Sequence, residues 1–285
     1  MRVDQSYRLG AVAYRGEMPS PYADLDRPPL RHSALDRGCR LPWTAVLLFD
    51  EVGSTNEVAA EQARAGTPSG LVVIAESQTD GRGRLDRQWT SPPRAGLTFS
   101  LLLRPRAPVA HWPWLSGLVA AAAATALQER TAIDVRLKWP NDLVVGGRKL
   151  GGLLAEVVDD AVVVGVGINV TTRRNELPRT DATSLALEGA EATDRLPLLV
   201  SLLRKIGSDY VSWNDADGAP TNLPQTYRGL CTTIGRRVRA DLLDGTQLEG
   251  EAVDVDAHGR LVIDVDGEHR PVAAGDVVHV HPGAP

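Results

Sequence analysis

The chain has 285 residues, of which 43% are hydrophobic and 24% charged, and its formal net charge is −5. This composition is typical of a folded globular protein with one large or two smaller domains, and it excludes a disordered, collagen-like or coiled-coil chain. No apolar run reaches the roughly 18–20 residues that a membrane span requires, and the start of the chain lacks the apolar core of a secretory signal. The net negative charge argues against a protein that coats nucleic acid.

The small number of cysteines helps to predict the cellular compartment of the protein. Cys39 and Cys231 are the only cysteines in the sequence. In a chain without a secretory signal they are expected to be free thiols, because disulfides persist mainly in oxidising compartments. The sequence therefore predicts a cytoplasmic protein.

Residues 1–42 are predicted to form an irregular arm. Prolines interrupt this segment at positions 19, 21, 28 and 29, and no helical period persists in it. The segment has no room for the three helices of a winged helix-turn-helix module, so no DNA-binding domain is expected there.

A predicted strand over 43–49 leads into the first predicted helix. Ser54 and Glu57 have the spacing of an S-x-x-E capping box, in which two side chains bond the unpaired amides at the start of a helix. The helix-forming run continues to Ala65, and Gly66 is a suitable stop because glycine readily adopts positive φ.

Apolar runs, hydrophobic periodicity and turn signals predict the following elements. Apolar residues repeat every 3.6 positions in two long helices, and Gly-Gly and Asp-Asp turns separate strands as they do in β-hairpins. The predicted strands are 71–75, 96–103, 143–145, 150–158 and 161–170, and the predicted helices are 114–130 and 197–213. Because hairpins join antiparallel neighbours, the expected fold is α+β, with a mixed, largely antiparallel sheet backed by helices.

The pattern changes after Pro224. Short alternating strands between 237 and 280 are separated by glycine-containing turns at 244–245, 258–259 and 266–267. This spacing is typical of a small β-barrel. The predicted domains are therefore residues 43–223, which carry the motifs described next, and a small barrel over residues 224–285.

The segment from Gly81 to Trp89, GRGRLDRQW, combines glycines with three arginines. Arg82, Arg84 and Arg87 offer planar forks for phosphate or carboxylate groups, and the glycines let the backbone approach a ligand closely. Such a loop can fold over a polyanion and shield it from water. A solvated basic loop without a ligand is an equal alternative. The segment is neither a Walker loop nor a Rossmann fingerprint, since it lacks Gly-Lys-Ser/Thr and precedes a strand.

Three further segments combine polar residues with glycines. They are KWPND at 138–142, GRKLGGLLAE at 147–156 and GVGINV at 165–170. Glycines inside strands weaken them and often mark close approach by a ligand. Each segment also has a structural interpretation: Trp139 as a core residue, Lys138 and Asp142 as a surface ion pair, and the strand glycines as a tolerated bulge.

Together these segments resemble the bacterial biotin–protein ligases. The family pattern Gly-Arg-Gly-Arg-x-Gly-Arg…Trp is matched at 81–89, Lys-Trp-Pro-Asn-Asp at 138–142, Arg-Lys-Leu-x-Gly at 148–152 and Gly-x-Gly-Ile-Asn at 165–169, in family order. The family pattern is also matched at Ser54, Thr55, Asn56 and Gln78. The resemblance covers roughly residues 45–283. It implies a catalytic fold like that of the class II synthetases and lipoate ligases, followed by an SH3-like barrel.

The sequence departs from the family pattern in two respects. Asp86 stands where the family usually has glycine, which adds a negative charge inside the loop and affects how the loop closes. The N-terminal DNA-binding module of some relatives is absent, so the resemblance is to the short form and a repressor is not expected.

The resemblance implies a two-step reaction. Biotin and ATP give biotinyl-5′-AMP and pyrophosphate, and biotin then passes to a lysine of a biotin carboxyl carrier domain with release of AMP. The first step brings a carboxylate next to a triphosphate, so cationic groups must neutralise and align two anions. The implied catalytic residues are Lys149, Arg82, Arg84 and Asp142, and Mg²⁺ is the expected activator, with no ligands assigned to it.

The implied binding residues divide by chemistry. The ureido ring of biotin is uncharged and needs neutral hydrogen-bonding partners, whereas the adenylate needs cations, an aromatic surface and amides. The implied biotin-binding residues are Ser54, Thr55, Asn56, Gln78, Gly81, Arg82, Gly83, Arg84, Lys149, Gly151 and Gly152. The implied ATP- and adenylate-binding residues are Arg84, Arg87, Trp89, Lys138, Asn141, Lys149, Ile168 and Asn169. Asp142 is a candidate to accept the proton of the acceptor lysine or to orient its amine.

Two alternative functions stay open. A lipoate–protein ligase shares the fold and the adenylate chemistry, and a biotin-sensing binding module would bind without transfer. The motifs favour biotin, and the net charge and the missing DNA-binding module disfavour a regulator. The expected partners are biotin, ATP and the carrier domain of acetyl-CoA carboxylase or a related acyl-CoA carboxylase. No nucleic acid or membrane is expected, and the expected state is a monomer or weak homodimer in the cytoplasm.

Overall fold

A computed structural model of the chain describes residues 27–33, 35, 42–85, 87–218, 222–242, 245–273 and 276–279. Its strands are β1 (Ala45–Phe49), β2 (Leu71–Ala75), β3 (Gly96–Leu103), β4 (Arg136–Lys138), β5 (Asp142–Val145), β6 (Arg148–Val158), β7 (Ala161–Asn169), β8 (Arg236–Asp241), β9 (Gln247–Val255), β10 (Leu261–Val265), β11 (Glu268–Val272) and β12 (Asp276–His279). Its α-helices are α1 (Thr55–Arg64), α2 (Trp114–Thr131), α3 (Arg195–Asp215) and α4 (Leu223–Leu230), and short 3₁₀ turns lie at Val109–His111 and Arg174–Glu176.

The main sheet has seven strands in the order β1-β2-β3-β7-β6-β5-β4. β1 and β2 are parallel, and every other neighbouring pair is antiparallel. The predicted mixed, largely antiparallel sheet is therefore confirmed. The turn between β5 and β6 has φ of 55° at Gly146 and 80° at Gly147, as a type I′ hairpin turn requires.

Helices cover both faces of this sheet. Alternate residues of each strand point to opposite faces, so Leu71 and Val73 pack under Ala59 and Ala63 of α1, whereas Val72 belongs to the larger core on the other face. That larger core includes α2 and α3. The sheet is thus the middle layer of three.

Helix α2 is the central helix of the larger core. The sequence predicts a single apolar stripe along it, but the structure buries it on nearly every side, including Ala120 through Ala124. The reason is that α2 contacts α3 and α4 as well as strands of the sheet. Its alanines are needed because only small side chains let several neighbours approach one helix closely.

The C-terminal strands form a separate five-stranded antiparallel sheet in the order β11-β10-β9-β8-β12. The sequence predicts a small β-barrel here, and the structure confirms its short strands as an antiparallel five-stranded sheet. Its buried residues, including Val238 and Ile263, belong to the same hydrophobic cluster as the main core. The division into residues 43–223 and 224–285 stays a prediction, and its boundary falls within the first turn of α4.

Some features differ from the sequence-based expectation. β4 and α4 were not predicted, because three residues are too few to show alternation and because Pro224 at the start of α4 reads as a breaker. Most of the predicted arm, with Cys39, lies outside the described residues, as does Asp86. Cys231 is a buried free thiol, as expected. Within the described residues, no helix is both long and apolar enough to cross a bilayer.

Candidate active site

Most of the predicted site residues line one cavity of about 610 Å³. The cavity lies on the sheet face that α1 covers only in part. The small residues of α1 cover one end of that face, over Leu102 and Val163, and glycines and polar residues occupy the rest of it. The predicted residues that line the cavity are Ser54, Thr55, Asn56, Gln78, Arg82, Gly83, Arg84, Arg87, Trp89, Lys138, Asn141, Asp142, Lys149, Gly152 and Asn169.

Gln78 fixes the start of α1. Its Oε1 atom accepts hydrogen bonds from the Thr55 backbone amide at 2.7 Å and from the Thr55 hydroxyl at 3.0 Å. The Ser54 side chain makes no capping hydrogen bond, so the predicted capping box is wrong. Gln78 instead supplies an acceptor to an amide that the helix leaves unpaired. This contact ties the segment after β2 to the helix and sets the orientation of the Gln78 amide at the cavity wall.

A buried polar network continues from Thr55 into the sheet. The hydroxyl of Ser100, in the middle of β3, lies 2.8 Å from Thr55 Oγ1 and 2.6 Å from Asn56 Oδ1. The Asn56 amide nitrogen donates to Leu154 O at 3.2 Å and to Glu156 Oε2 at 2.6 Å. Both polar ends of Asn56 are therefore held by the protein, and the residue shapes the cavity floor.

The glycines of β7 make room for two site side chains. A Cβ on Gly165 would lie 2.0 Å from Asn56 Oδ1, and a Cβ on Gly167 would lie 2.4 Å from Trp89 Cε2. The Trp89 indole consequently rests on the backbone of β7. Its Nε1 atom is buried without a hydrogen-bond partner in the described structure, so an acceptor on a bound ligand would satisfy it.

The Gly81–Trp89 loop forms a small hairpin beside the cavity. Gly83 N donates to Arg87 O at 2.6 Å, and Trp89 N donates to Gly81 O at 2.8 Å. Arg82 pairs with Glu156 at 3.1 Å, although 44% of its side chain stays exposed. The loop therefore carries its positive charge along the edge of the cavity, with Arg82 next to the Asn56 network.

Lys149 and Asp142 form an ion pair inside the cavity. Lys149 Nζ lies 2.6 Å from Asp142 Oδ1, and the two side chains are 31% and 23% exposed. The β5–β6 hairpin brings them together, and Gly152 lies beside the pair, where a Cβ would be in ordinary contact with both polar atoms at 3.5 Å. The carboxylate thus holds a cationic group in the cavity wall.

The neighbouring Arg148 has a structural role. Its guanidinium donates to both oxygens of Glu188, at 2.9 and 2.6 Å, and it does not line the cavity. The hydrogen bond from Arg148 holds the pKa of Glu188 below its ordinary value. Of the Arg-Lys pair, only Lys149 lines the cavity.

A segment that sequence reasoning missed completes the wall. Lys149 N donates to Asp181 O at 2.8 Å, and Thr183 N donates to Lys149 O at 2.8 Å. Arg179 and Asp181 line the cavity, and the Arg179 hydrogen bond lowers the pKa of Asp181, with a smaller electrostatic contribution from Lys138. The segment has no periodic pattern that could have placed it next to β6.

Gly81, Gly151 and Ile168, which were predicted to bind ligand, do not line this cavity. Ile168 is fully buried in the larger core, because odd and even residues of β7 face opposite sides of the sheet. A Cβ on Gly151 would lie 2.4 Å from Gly167 O, so strand packing accounts for that glycine. Gly81 lines an adjacent cavity of about 880 Å³. Their predicted binding roles stay untested predictions.

Sequence reasoning also missed Ser100 and Glu156. Ser100 lies between Phe99 and Leu101 in β3, and Glu156 lies between Ala155 and Val157 in β6, so a polar residue between apolar neighbours is a signal that could have identified both. Asp181 carried no comparable signal.

Comparison with known proteins agrees with this arrangement. Residues 48–172 match the Biotin/lipoate A/B protein ligase family, and residues 233–280 match the Biotin protein ligase C terminal domain. The biotin protein ligase of Aquifex aeolicus in complex with biotin and ATP superposes with a TM-score of 0.70 at 28% identity, covering 83% of this chain and 98% of that one. The Leishmania major ligase in complex with biotinyl-5-AMP shares the fold, with a TM-score of 0.57 at 24% identity, covering 82% of this chain and 100% of that chain.

Relatives of known name extend over most of the chain. The biotin--[acetyl-CoA-carboxylase] ligase of Mycobacterium tuberculosis is 40% identical over 262 residues, which cover 89% of this chain and 97% of that protein. The bifunctional ligase/repressor BirA of Escherichia coli is 30% identical over 244 residues, covering 84% of this chain and 75% of that protein. The chain therefore belongs to the biotin–protein ligase family of enzymes.

Proposed function

We propose that the chain catalyses ATP-dependent biotinylation of a lysine on the biotin carboxyl carrier domain of acetyl-CoA carboxylase or a related acyl-CoA carboxylase. The observation that carries the proposal is the convergence on one cavity of the Lys149–Asp142 pair, the Gln78 network and the Gly81–Trp89 loop, which we call the arginine loop. These supply the cations that an adenylation step needs and the neutral donors and acceptors that a ureido ring needs.

In the first half-reaction, a carboxylate oxygen of biotin attacks the α-phosphorus of ATP. A carboxyl–phosphate bond forms, and the bond to pyrophosphate breaks. Lys149, held by Asp142, and Arg82 and Arg84 of the loop stabilise the negative charge on the phosphate in the transition state. Fixing both anions in one cavity also lowers the entropic cost of their reaction.

The ligand orientation follows from the chemistry of the cavity walls. The ureido ring is proposed to bind at the start of α1, with Ser54, Thr55 and Gln78 as partners. The adenylate is proposed to extend along Lys138, Asn141 and Asn169, with the Trp89 indole against it. Arg87 completes the cationic edge.

In the second half-reaction, the acceptor lysine attacks the acyl carbon and AMP leaves as an amide bond forms. The ammonium must first lose its proton, since free lysine has a pKa near 10.4. Asp142 is proposed to accept this proton or to orient the amine.

Mg²⁺ is proposed to arrive with ATP. Magnesium usually binds through one or two carboxylates together with substrate phosphates, and the carboxylates of Asp142 and Asp181 both line the cavity. Within the described residues, no group of three or more His, Cys, Asp and Glu side chains could hold a metal ion. Two carboxylates are enough for a metal ion that is also bound by the phosphates of ATP. Mg²⁺ would neutralise negative charge at those phosphates.

The remaining assignments are proposals of the same kind. The arm is residues 1–42, the catalytic domain residues 43–223 and the small β domain residues 224–285. The enzyme is proposed to act in the cytoplasm as a monomer or weak homodimer that binds neither nucleic acid nor membrane.

The decisive experiment incubates the full chain with biotin, Mg-ATP and a carrier domain, and measures the carrier by mass spectrometry. We expect a gain of one biotinyl group, and no gain when the acceptor lysine of the carrier is replaced by arginine. A parallel reaction with lipoate tests the alternative ligase. Modification by lipoate and not by biotin, or binding of biotin without pyrophosphate release, would refute the proposal.

A further inference from the structure

The segments that lead into and out of the arginine loop meet at one buried junction. The connection leaves β2 at Glu76 and returns to β3 through Arg94–Gly96, and Arg94 N donates to Glu76 O at 2.9 Å. Val170 N and Thr171 N, which follow the site residue Asn169, donate to Ala95 O at 3.1 and 2.8 Å. The position of this junction therefore sets the positions of both the loop and the segment after β7.

A buried ion pair lies at this junction. Arg195, at the start of α3, pairs with Glu76, and each side chain is only 4% exposed. A buried ion pair is stable only when further hydrogen bonds satisfy its remaining donors and acceptors. Residues 27–30, which we call the anchor segment, supply these bonds: Arg195 Nη2 donates to Pro28 O at 2.6 Å, and Leu30 N donates to Glu76 Oε1 at 2.5 Å.

Arg27 connects the anchor segment to the other side of the site. Its guanidinium donates to Glu176 Oε1 and Oε2 at 3.1 and 2.6 Å, and to Thr171 O at 2.9 Å. The Arg27 side chain is 9% exposed. The segment that it holds begins directly after Asn169 and continues into Arg179 and Asp181 at the cavity wall. A planar guanidinium suits this position because it can bond a carboxylate and a carbonyl at once.

We propose that Arg27 is a positioning residue for adenylate formation. Its hydrogen-bond partners Glu176 and Thr171 do not line the cavity, but together with the rest of the anchor segment Arg27 holds the base of the arginine loop and the segment 171–176 at a fixed separation. The nucleotide side of the cavity, between the loop and Asp181, therefore keeps its width. This inference rests on the proposed ligase function and adds to it a functional part of the predicted arm.

The test uses three variants of the full chain, Arg27→Ala, Arg27→Lys and the control Arg31→Ala. Arg31 lies in the same stretch of chain but is exposed. Pyrophosphate release is measured against ATP concentration at saturating biotin. Loss of a hydrogen bond to a charged group changes an equilibrium constant by about tenfold or more. We therefore expect Arg27→Ala to raise the KM for ATP by that factor. Arg27→Lys should recover part of it, and Arg31→Ala should match the wild type.

KM separates positioning from a general structural role. A variant that only lowers the folded fraction loses kcat in proportion and keeps its KM, because the remaining folded molecules are unchanged. Hydrogen exchange gives a second readout that needs no activity: amides within 76–96 and 169–182 should exchange faster in Arg27→Ala than in Arg31→Ala, while β9 and β10 stay unchanged.

Two results would overturn the proposal. One is equal KM and equal exchange in Arg27→Ala and Arg31→Ala. The other is a loss of protection spread over the whole chain with KM unchanged. Failure of the wild type to release pyrophosphate would instead count against the proposed function, and the exchange comparison would still decide the role of Arg27.

Discussion

Lys149 is the residue whose removal should separate chemistry from folding. Lys149→Ala should slow pyrophosphate release by about 100-fold or more, comparable to the loss of one preorganised oxyanion donor. Because its ion pair with Asp142 is partly exposed, the free energy of unfolding should change by no more than about 1 kcal/mol. The measurements are pyrophosphate release with biotin and Mg-ATP and a thermal melt.

Lys149→Arg is the matched control for this prediction. It keeps the charge but spreads it over a planar fork, so it should recover activity only in part. Near-normal release by Lys149→Ala would remove Lys149 from the mechanism. A collapsed melting temperature would make the role of its ion pair structural.

Gly167 should matter because Trp89 lies directly on it. Gly167→Ala would place a Cβ 2.4 Å from the indole, and displacement of the ring should destabilise the fold by roughly 1–3 kcal/mol, as overpacking does. If Trp89 also contacts the adenylate, KM for ATP should rise. Gly229→Ala is the control, because nothing lies within 4 Å of that position in α4 and alanine is the better helix former. Equal melting temperatures and equal KM values for ATP in the two variants would contradict this prediction.

Single site residues were predictable where a motif carried their chemistry. Lys149, Asp142 and Gln78 all reach the cavity, as the resemblance implied. Ser54 failed as a cap because Gln78, 24 positions along the chain, provides the competing acceptor, and local spacing cannot show a tertiary partner. Ile168 was taken from its motif, although alternation along β7 could have placed it on the core face.

Among the elements, the Gly81–Trp89 loop is the one expected to change state. Its three arginines concentrate positive charge at the edge of the cavity, which favours binding of an anion, and Arg82 and Leu85 are exposed. Trypsin should therefore cut at Arg82, Arg84 or Arg87 in the free protein, and biotin with Mg-ATP should protect these sites severalfold more than biotin alone. Exposed Arg130, at the end of α2, is an internal control that ligands should not protect. Equal cleavage of the loop with and without both ligands would contradict the prediction.

Elements marked by apolar runs or by strong periodicity were predicted almost to the residue. β2 and β3 match their predicted bounds, and α2 differs from its predicted end by one residue. β4 and α4 could not be predicted in the same way. β4 is a strand only because it pairs with β5, and α4 is stabilised by its contact with α2, so tertiary structure and not local pattern decides both.

On the scale of the whole molecule, the two sheets share one core. The hydrophobic cluster that contains α2 and α3 also contains Val238 and Ile263 of the C-terminal sheet. Two indoles join the parts further, since Trp114 Nε1 donates to Ala257 O at 2.7 Å and Trp139 Nε1 donates to Gly259 O at 3.1 Å. The change to short alternating strands near Pro224 indicates a second sheet. It cannot reveal that this sheet packs into the same hydrophobic core as the first.

This shared core predicts that the main sheet with its helices and the C-terminal sheet unfold together. Scanning calorimetry of the ligand-free chain should show one transition whose calorimetric and van't Hoff enthalpies agree. Trp114→Phe keeps an aromatic ring but removes the indole donor and part of the buried ring, so it should cost roughly 1–3 kcal/mol and speed hydrogen exchange in residues 256–260. Trp112→Phe is the control, because Trp112 Nε1 donates at 2.9 Å to Ala107 O, in its own part of the chain. It should leave exchange in 256–260 unchanged. Two resolved transitions in the wild type, or equal exchange in the two variants, would show that the C-terminal sheet is stabilised independently of the main sheet and its helices.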